Sequence, residues 1–167
     1  MSENSLFKNI NKIKQRVKME LLSNQKVLKY IAYDDENPLS LPDIDDTQAL
    51  LNDRIYLNPI AWDTTIQEVK TFLLTNIRVA TVRNSQQFAD IYLYVYVISH
   101  NDIYDLEDGT TRVWNICDEL MESFHNTFGK VGNEGIGKCH FRSMQEIVSR
   151  KDYYAVELQF VFTEFKI

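Results

Sequence analysis

The chain has 167 residues, of which 44% are hydrophobic and 25% are charged, and it carries a net charge of −6 at pH 7. This composition is typical of a folded globular chain and excludes wholesale disorder. The acidic balance disfavours sequence-specific binding to nucleic acid and binding to anionic membranes, because neutralising phosphate requires clustered lysines and arginines. With two cysteines, no signal peptide and no long apolar run, we expect no disulfide framework, no membrane segment and synthesis in the cytoplasm.

Two helices are predicted at the N-terminus. Apolar residues recur at helical spacing between Ser5 and about Leu22, with lysines mostly on the other side. A second, shorter helix, capped by Ser23 or Asn24, extends through Tyr33. The apolar positions of the first helix are Leu6, Ile10, Ile13, Val17 and Leu21. Residues 1–53 are therefore expected to form a mainly helical N-terminal part.

The segment from Asp34 to Asp46 (residues 34–46) is predicted to be an acidic loop. It contains six acidic residues and two prolines, and it has no basic residue of its own to pair with them. A calcium loop of the EF-hand type needs a glycine in the middle and a glutamate at the end, and neither is present. We therefore expect no bound metal ion in this loop.

The stretch from Asp90 to His100 has the strictest alternation in the chain and is predicted to be a β-strand. One face carries Ile91, Leu93, Val95 and Val97, and the other carries Tyr92, Tyr94, Tyr96 and Ile98. The preceding segment from Thr64 to Arg83 fits a helix or a strand, and its β-branched residues at a period of two favour the strand. A turn from Asn84 to Gln87 then completes a long antiparallel β-hairpin.

We expect the tyrosine face of this strand to be covered by other protein. A strand in a two-layer domain normally has a polar, solvent-exposed face, whereas here both faces are apolar or aromatic. Another element of the same chain is one possible cover, and a neighbouring copy of the chain is the other. Tyrosine suits a subunit boundary, because it buries a large ring while its hydroxyl keeps a polar partner. We therefore predict that Tyr92, Tyr94 and Tyr96 lie at or beside a subunit interface.

An amphipathic helix from Thr111 to Phe128 is predicted to pack across the aliphatic face of the hairpin. Two strands follow it, a weaker one from Ile136 to about Met144 and a strongly alternating one that begins near Tyr154. The chain is thus predicted to be a single α+β domain over residues 1–167, with a ββαββ core over residues 64–167. Its parts are N-terminal helices, a long antiparallel β-hairpin, an amphipathic helix packed on the sheet, and a C-terminal β-hairpin.

Two motifs suggest a chemical function, but neither has the required context. Gly132 to Cys139 fits the phosphate-loop pattern except at its last residue, but it is predicted to follow a helix and open a strand, the reverse of a phosphate loop. A zinc site typically has ligands at short, regular spacing. No such spacing occurs among the three histidines, His100, His125 and His140, or between them and Cys139. No nucleophile or acid–base pair has a catalytic context, so we expect no enzymatic activity, no catalytic residue, no cofactor and no metal.

Several stretches together resemble the tail terminator and neck proteins of tailed phages, which join head to tail. They are Val27-Leu-Lys-Tyr-Ile-Ala-Tyr-Asp-Asp-Glu-Asn-Pro-Leu, the strand ending Val97-Ile-Ser-His100, the helix that contains Arg112, Gly135-Ile-Gly-Lys138, and Asp152-Tyr-Tyr-Ala-Val-Glu-Leu-Gln-Phe. The resemblance spans most of the chain. It is one of layout and loose motif, and neighbouring neck families share the same α+β layout.

The resemblance implies a structural virion protein that forms a ring, typically a hexamer, at the top of the tail tube and meets the head connector. Its implied partners are further copies of itself, the tail tube protein and the neck or connector proteins. Its implied location is the virion, with the host cytoplasm during assembly. DNA would pass the ring without sequence-specific binding, helped by the acidic charge. A head-completion or neck adaptor role remains open, as does a cytoplasmic nucleotide-binding or ligand-binding domain that uses the loop from Gly132 to Cys139.

Overall fold

The structure is a computed structural model that describes residues 6–59, 68–80, 88–128, 138–147 and 152–166. Its α-helices are α1 (Leu6–Ser23), α2 (Gln25–Ala32) and α3 (Arg112–Phe128). Its strands are β1 (Ile55–Tyr56), β2 (Thr71–Val79), β3 (Phe88–His100), β4 (Lys138–Ile147) and β5 (Tyr153–Lys166). Short 3₁₀ turns occur at Pro38–Ser40, Thr47–Leu50 and Asn101–Ile103.

The strands form one mixed sheet in the order β1-β2-β3-β5-β4. The short β1 is parallel to β2, and the other neighbouring pairs are antiparallel. The predicted hairpin of β2 and β3 is therefore joined to the C-terminal hairpin through the pairing of β3 with β5, in which Val95 lies opposite Leu158. The long strand β3 is the centre of the sheet.

The described α-helices pack on one face of this sheet. The aliphatic side chains of β3, from Ile91 to Val97, are completely buried there against α3, where Val113, Cys117 and Phe124 are also buried. The inward residues of α1 and α2 belong to the same core. This arrangement confirms the predicted α+β fold, with its N-terminal helices and with the amphipathic helix across the aliphatic face of the hairpin.

The boundaries of the elements agree with the sequence pattern where the structure describes them. Asn24 caps α2 by accepting the N–H of Val27, as predicted. The ambiguous segment over residues 64–83 is a strand at Thr71–Val79, but residues 68–70 are not part of a strand. Residues 64–67 and 81–83, the turn at 84–87 and the glycine-rich residues 132–137 lie outside the described part. No α-helix in the described part is both long and apolar enough to cross a membrane.

The side chain of Arg112 connects the N-terminal part to the first turn of α3. It is fully buried, and its guanidinium donates only to backbone carbonyl oxygens in the hydrogen bonds that hold it. Nε donates to Ile103 O and Nη1 to both Tyr30 O and Tyr33 O, each at 2.7 Å, while Nη2 donates to Asp35 O at 2.5 Å. The end of α2, the start of the acidic loop and the turn before α3 therefore converge on one cation.

A second arginine fixes the start of the acidic loop. Arg54 binds Asp34 through two parallel hydrogen bonds, Nη1 to Oδ1 at 2.9 Å and Nη2 to Oδ2 at 3.2 Å, and also donates to Ile31 O. Burial lowers the pKa of Arg112 from its ordinary value, and the nearby charge of Asp34 opposes that change. The first carboxylate of the loop thus has a basic partner from a distant part of the sequence.

We expect Arg112→Lys to reduce the free energy of unfolding by about 3 kcal/mol. A lysine ammonium has no planar fork, so it leaves several of the buried carbonyl oxygens without a donor. Urea unfolding followed by circular dichroism measures the change. Arg16→Lys, at a partly exposed position on α1, is the matched control and should cost less than about 0.5 kcal/mol. Equal stabilities of the two variants would contradict this role of Arg112.

Candidate functional site

Tyr92, Tyr94 and Tyr96 lie on the face of the sheet opposite the helices, and all three are partly exposed. They alternate along β3 with the fully buried aliphatic residues, because successive side chains of a strand point to opposite faces. On β2 the residues opposite them are Arg78, Asn76 and Leu74, and on β5 they are Val161, Gln159 and Glu157. The tyrosines therefore have polar as well as apolar cross-strand neighbours.

Two exposed arginines flank the tyrosines. The guanidinium carbon of Arg78 lies 5.1 Å from the ring centroid of Tyr94, and that of Arg142 lies 5.3 Å from the ring centroid of Tyr92. Nη1 of Arg142 also donates to the hydroxyl of Tyr92 at 2.9 Å. These are cation–π distances, and stacking on a ring keeps each guanidinium in place while leaving it accessible. We call Arg78, Tyr92, Tyr94, Tyr96 and Arg142 the arginine–tyrosine face.

A β-bulge places Arg142 in this position. The register of β4 against β5 shifts between Phe141 and Ser143, so Arg142 is an extra residue with no partner of its own in the pairing. A bulge re-aims a side chain relative to the regular alternation of its strand. The hydrogen bond to Tyr92 and the contact with its ring show that Arg142 reaches the tyrosine side of the sheet.

The tyrosine hydroxyls are held by polar side chains. Nε2 of Gln159 donates to the hydroxyl of Tyr94 at 2.9 Å. Burial, followed by a hydrogen bond to Glu157, raises the pKa of Tyr96 to about 12. Gln145 donates to the same carboxylate of Glu157 at 3.0 Å. Hydrogen bonds therefore orient the phenol groups of this face.

The same side of the sheet is buried at its other end. Phe72, Leu74, Ile98, Tyr153 and Ala155 form a small apolar cluster there, separate from the main core. The rings of Phe72 and Tyr153 meet edge to face, with centroids 6.3 Å apart. This side thus changes along β3 from a closed apolar cluster to the partly exposed tyrosines and arginines.

Strand β4 is at the edge of the sheet and is largely exposed. Phe141 and Met144 are 43% and 42% exposed, although their partners on β5 are buried. No strand in the described part of the chain pairs with the outer edge of β4. A long edge strand with exposed apolar side chains is suited to contact with another chain.

The residues considered for metal binding are not brought together. Nδ1 of His100 accepts the N–H of Asp102 and begins a 3₁₀ turn, while Cys139 is buried in β4. Within residues 6–59, 68–80, 88–128, 138–147 and 152–166, no group of three or more His, Cys, Asp or Glu side chains is placed to hold a metal ion. The expected absence of a metal and a cofactor stays a prediction.

The glycine-rich segment lies between a helix and a strand, in the order that the sequence predicts. Helix α3 ends at Phe128 and β4 begins at Lys138. A phosphate loop needs the opposite order, in which the helix N-terminus after the loop points its N–H groups at the phosphate. The nucleotide-binding alternative therefore lacks this structural support.

The alternation of β3 in the sequence predicts the tyrosines of this site, but it does not predict the arginines beside them. The position of Arg78 can be predicted from the sequence, because the period of two in β2 and the register of the hairpin place Arg78 opposite Tyr92. The position of Arg142 cannot be predicted in this way. The β-bulge shifts the pairing of β4 by one residue at Arg142, and nothing in the local sequence marks a bulge there. Whether the face is a subunit interface stays a prediction.

The chain matches a family model described as YomW over residues 24–162. The match begins at the capping residue of α2, so it includes the described sheet up to Phe162, together with α2 and α3, but not α1. YomW is a phage-associated family. No curated protein matches the chain.

We expect Cys117 and Cys139 to react slowly with alkylating reagents in the folded protein. Burial raises the pKa of each thiol to about 12, so almost every thiol is protonated and unreactive at pH 8. Mass spectrometry after a short iodoacetamide pulse measures the reaction, with the chain unfolded in guanidinium as the control. Equal labelling of the folded and unfolded chains would contradict the burial of these thiols.

We expect Lys138→Ala to leave ATP binding unchanged, at the background level of an unrelated acidic protein. Lys138 opens a strand, so it lacks the helix N-terminus that would complete a phosphate site. Isothermal titration of wild type and variant with Mg-ATP measures the difference. Micromolar binding that is lost in the variant would restore the nucleotide-binding alternative.

Proposed function

The chain belongs to the YomW family, which is phage-associated, and we propose that it is a structural virion protein of a tailed phage. In this proposal it is a tail terminator. Copies of the chain form a ring, a hexamer by the resemblance described above, at the top of the tail tube, and the ring joins the tube to the head connector. The chain is assembled in the host cytoplasm and then remains in the virion, with no enzymatic role.

The arginine–tyrosine face is the observation that carries this proposal. It is a partly exposed aromatic surface on the side of the sheet that the described helices leave open. Tyrosine and arginine are enriched at protein interfaces and among the residues that dominate binding energy, because each combines a large flat contact area with hydrogen bonding. Such a surface favours a protein that functions by contact with other subunits.

The edge strand β4 supports the same role. Phe141 and Met144 give it an exposed apolar character, and a ring offers each edge a neighbour. The tail tube protein and the connector proteins are the further partners of such a ring. These contacts require no base-reading surface on the chain.

The charge of the chain suits a ring through which DNA passes. The net charge is −6, and like charge keeps phosphate from adhering to the wall of the channel. Binding that depends on sequence would hinder passage. The proposal therefore assigns DNA the role of cargo and not of ligand.

We expect the double variant Tyr92→Ser, Tyr94→Ser to weaken ring assembly at least about tenfold. Removing two interface tyrosines costs assembly free energy, while the fold loses only two partly exposed rings. Sedimentation velocity with purified tail tubes measures assembly, and the thermal midpoint measures the fold. Tyr154→Ser, at a partly exposed tyrosine that packs on the helix side of the sheet, is the control and should assemble normally.

Two results would contradict the tyrosine assignment. In one, the double variant assembles as wild type does. In the other, its thermal midpoint falls so far that loss of assembly cannot be separated from loss of the fold, which would make the tyrosines ordinary core residues.

A further inference from the structure

A cavity of about 220 Å³ lies between the acidic loop and the loop that precedes α3. The residues that line it include the acidic Glu36, Glu107 and Asp108 and the apolar Leu39 and Leu106. We call it the acidic pocket. The two loops are tied to each other, because Glu107 N–H donates to Glu36 O at 3.0 Å. The pocket therefore has fixed walls.

The carboxylates of this pocket are not neutralised within the described part of the chain. Asp34 and Asp43 of the same loop pair with Arg54 and Lys29, but no described lysine or arginine forms an ion pair with Glu36, Glu107 or Asp108. Hydrogen bonds from Thr110 lower the pKa of Asp108, so that carboxyl group stays ionised. Adjacent like charges without a counter-ion favour the entry of a cation.

The arginine–tyrosine face has the complementary charge. Arg78 and Arg142 are exposed, and neither forms an ion pair with a carboxylate in the part of the chain that the structure describes. Glu157, an acid on the same side of the sheet, already accepts hydrogen bonds from Gln145 and Tyr96. Two guanidinium groups are thus held on tyrosine rings with their N–H groups available to a partner.

We infer that the arginine–tyrosine face of one copy docks on the acidic pocket of the next copy, with Arg78 and Arg142 facing Glu36, Glu107 and Asp108. This inference rests on the proposed ring and names the two surfaces that form it. A second copy is the occupant because the chain itself carries both charges on separate surfaces. Guanidinium and carboxylate groups form paired hydrogen bonds of fixed geometry, which sets the orientation of the neighbours.

The positions of the two surfaces decide the symmetry of the contact. The arginine–tyrosine face lies on the open side of the sheet, whereas the pocket is built by the loops next to α2 and α3. Because the two surfaces do not overlap, each copy contacts one neighbour through its arginine–tyrosine face and the other neighbour through its acidic pocket. Such a head-to-tail contact forms a ring when its rotation closes, and it does not form an isolated two-fold dimer.

Two charge-reversed variants test the pairing. The first carries Arg78→Glu and Arg142→Glu, and the second carries Glu36→Arg and Glu107→Arg. We expect each variant alone to assemble at least about tenfold more weakly than wild type, because like charges then meet at every contact. We expect an equimolar mixture of the two variants to recover assembly. The reversed face of the first variant then meets the reversed pocket of the second, and the native face of the second meets the native pocket of the first, so opposite charges meet at every contact. Native mass spectrometry measures the assemblies and their composition.

The control variant carries Lys8→Glu and Lys12→Glu on α1, which changes the net charge as much as the first variant does. It should assemble as wild type does. Thermal midpoints of all variants show whether each is folded. If a reversed variant is unfolded, the test is instead the effect of salt on assembly of the wild-type chain. We expect wild-type assembly to weaken as NaCl rises from about 0.05 to 0.5 M. Assembly that is insensitive to salt would then overturn the pairing.

The outcomes separate this inference from the proposed function. If wild type forms rings and the tyrosine variant does not, while the charge-reversed variants assemble normally or the mixture shows no recovery, the pairing is wrong and the ring stands. If the wild-type chain stays monomeric alone and with tail tubes, both the ring and the pairing are wrong.

Discussion

The structure depends on a sheet whose central strand is apolar or aromatic on both faces, while the described helices pack on only one of them. Ile91, Leu93 and Val95 are completely buried beneath α3, and the alternation of the strand then forces the tyrosines to the other side. A surface of this composition costs free energy if it stays in water. The proposed ring supplies the missing cover, because each copy offers a different surface to its neighbour.

Arg112 relates the stability of the fold to the proposed contact between copies. Its guanidinium holds the carbonyl of Asp35, the residue before Glu36 of the acidic pocket, and it lies at the start of α3, just after Glu107 and Asp108. A buried cation bound by neutral carbonyls is a demanding arrangement that tolerates little displacement of the loops. The pocket is therefore positioned by the same interaction that joins the N-terminal part to the sheet layer.

Period and composition were sufficient to predict most of the fold. The alternation from Ile91 to Ile98 and the helical stripe of α3 gave the correct elements, because each has one buried face with an unmistakable repeat. They did not reveal that β5 lies between β3 and β4, since strand order depends on long-range pairing. They also missed the pair of Arg54 with Asp34 and the bulge at Arg142, which depend on tertiary contacts rather than on local pattern.

The central claim is that the tyrosine side of the sheet is covered by another copy of the chain. Hydroxyl-radical footprinting over a concentration series, read by mass spectrometry, tests it directly, with Tyr104 and Tyr154 as partly exposed internal references in contact with each other. We expect oxidation of Tyr92, Tyr94 and Tyr96 to fall as the ring forms, while oxidation of the two reference tyrosines stays constant. Ring formation with unchanged oxidation of all five tyrosines would contradict it.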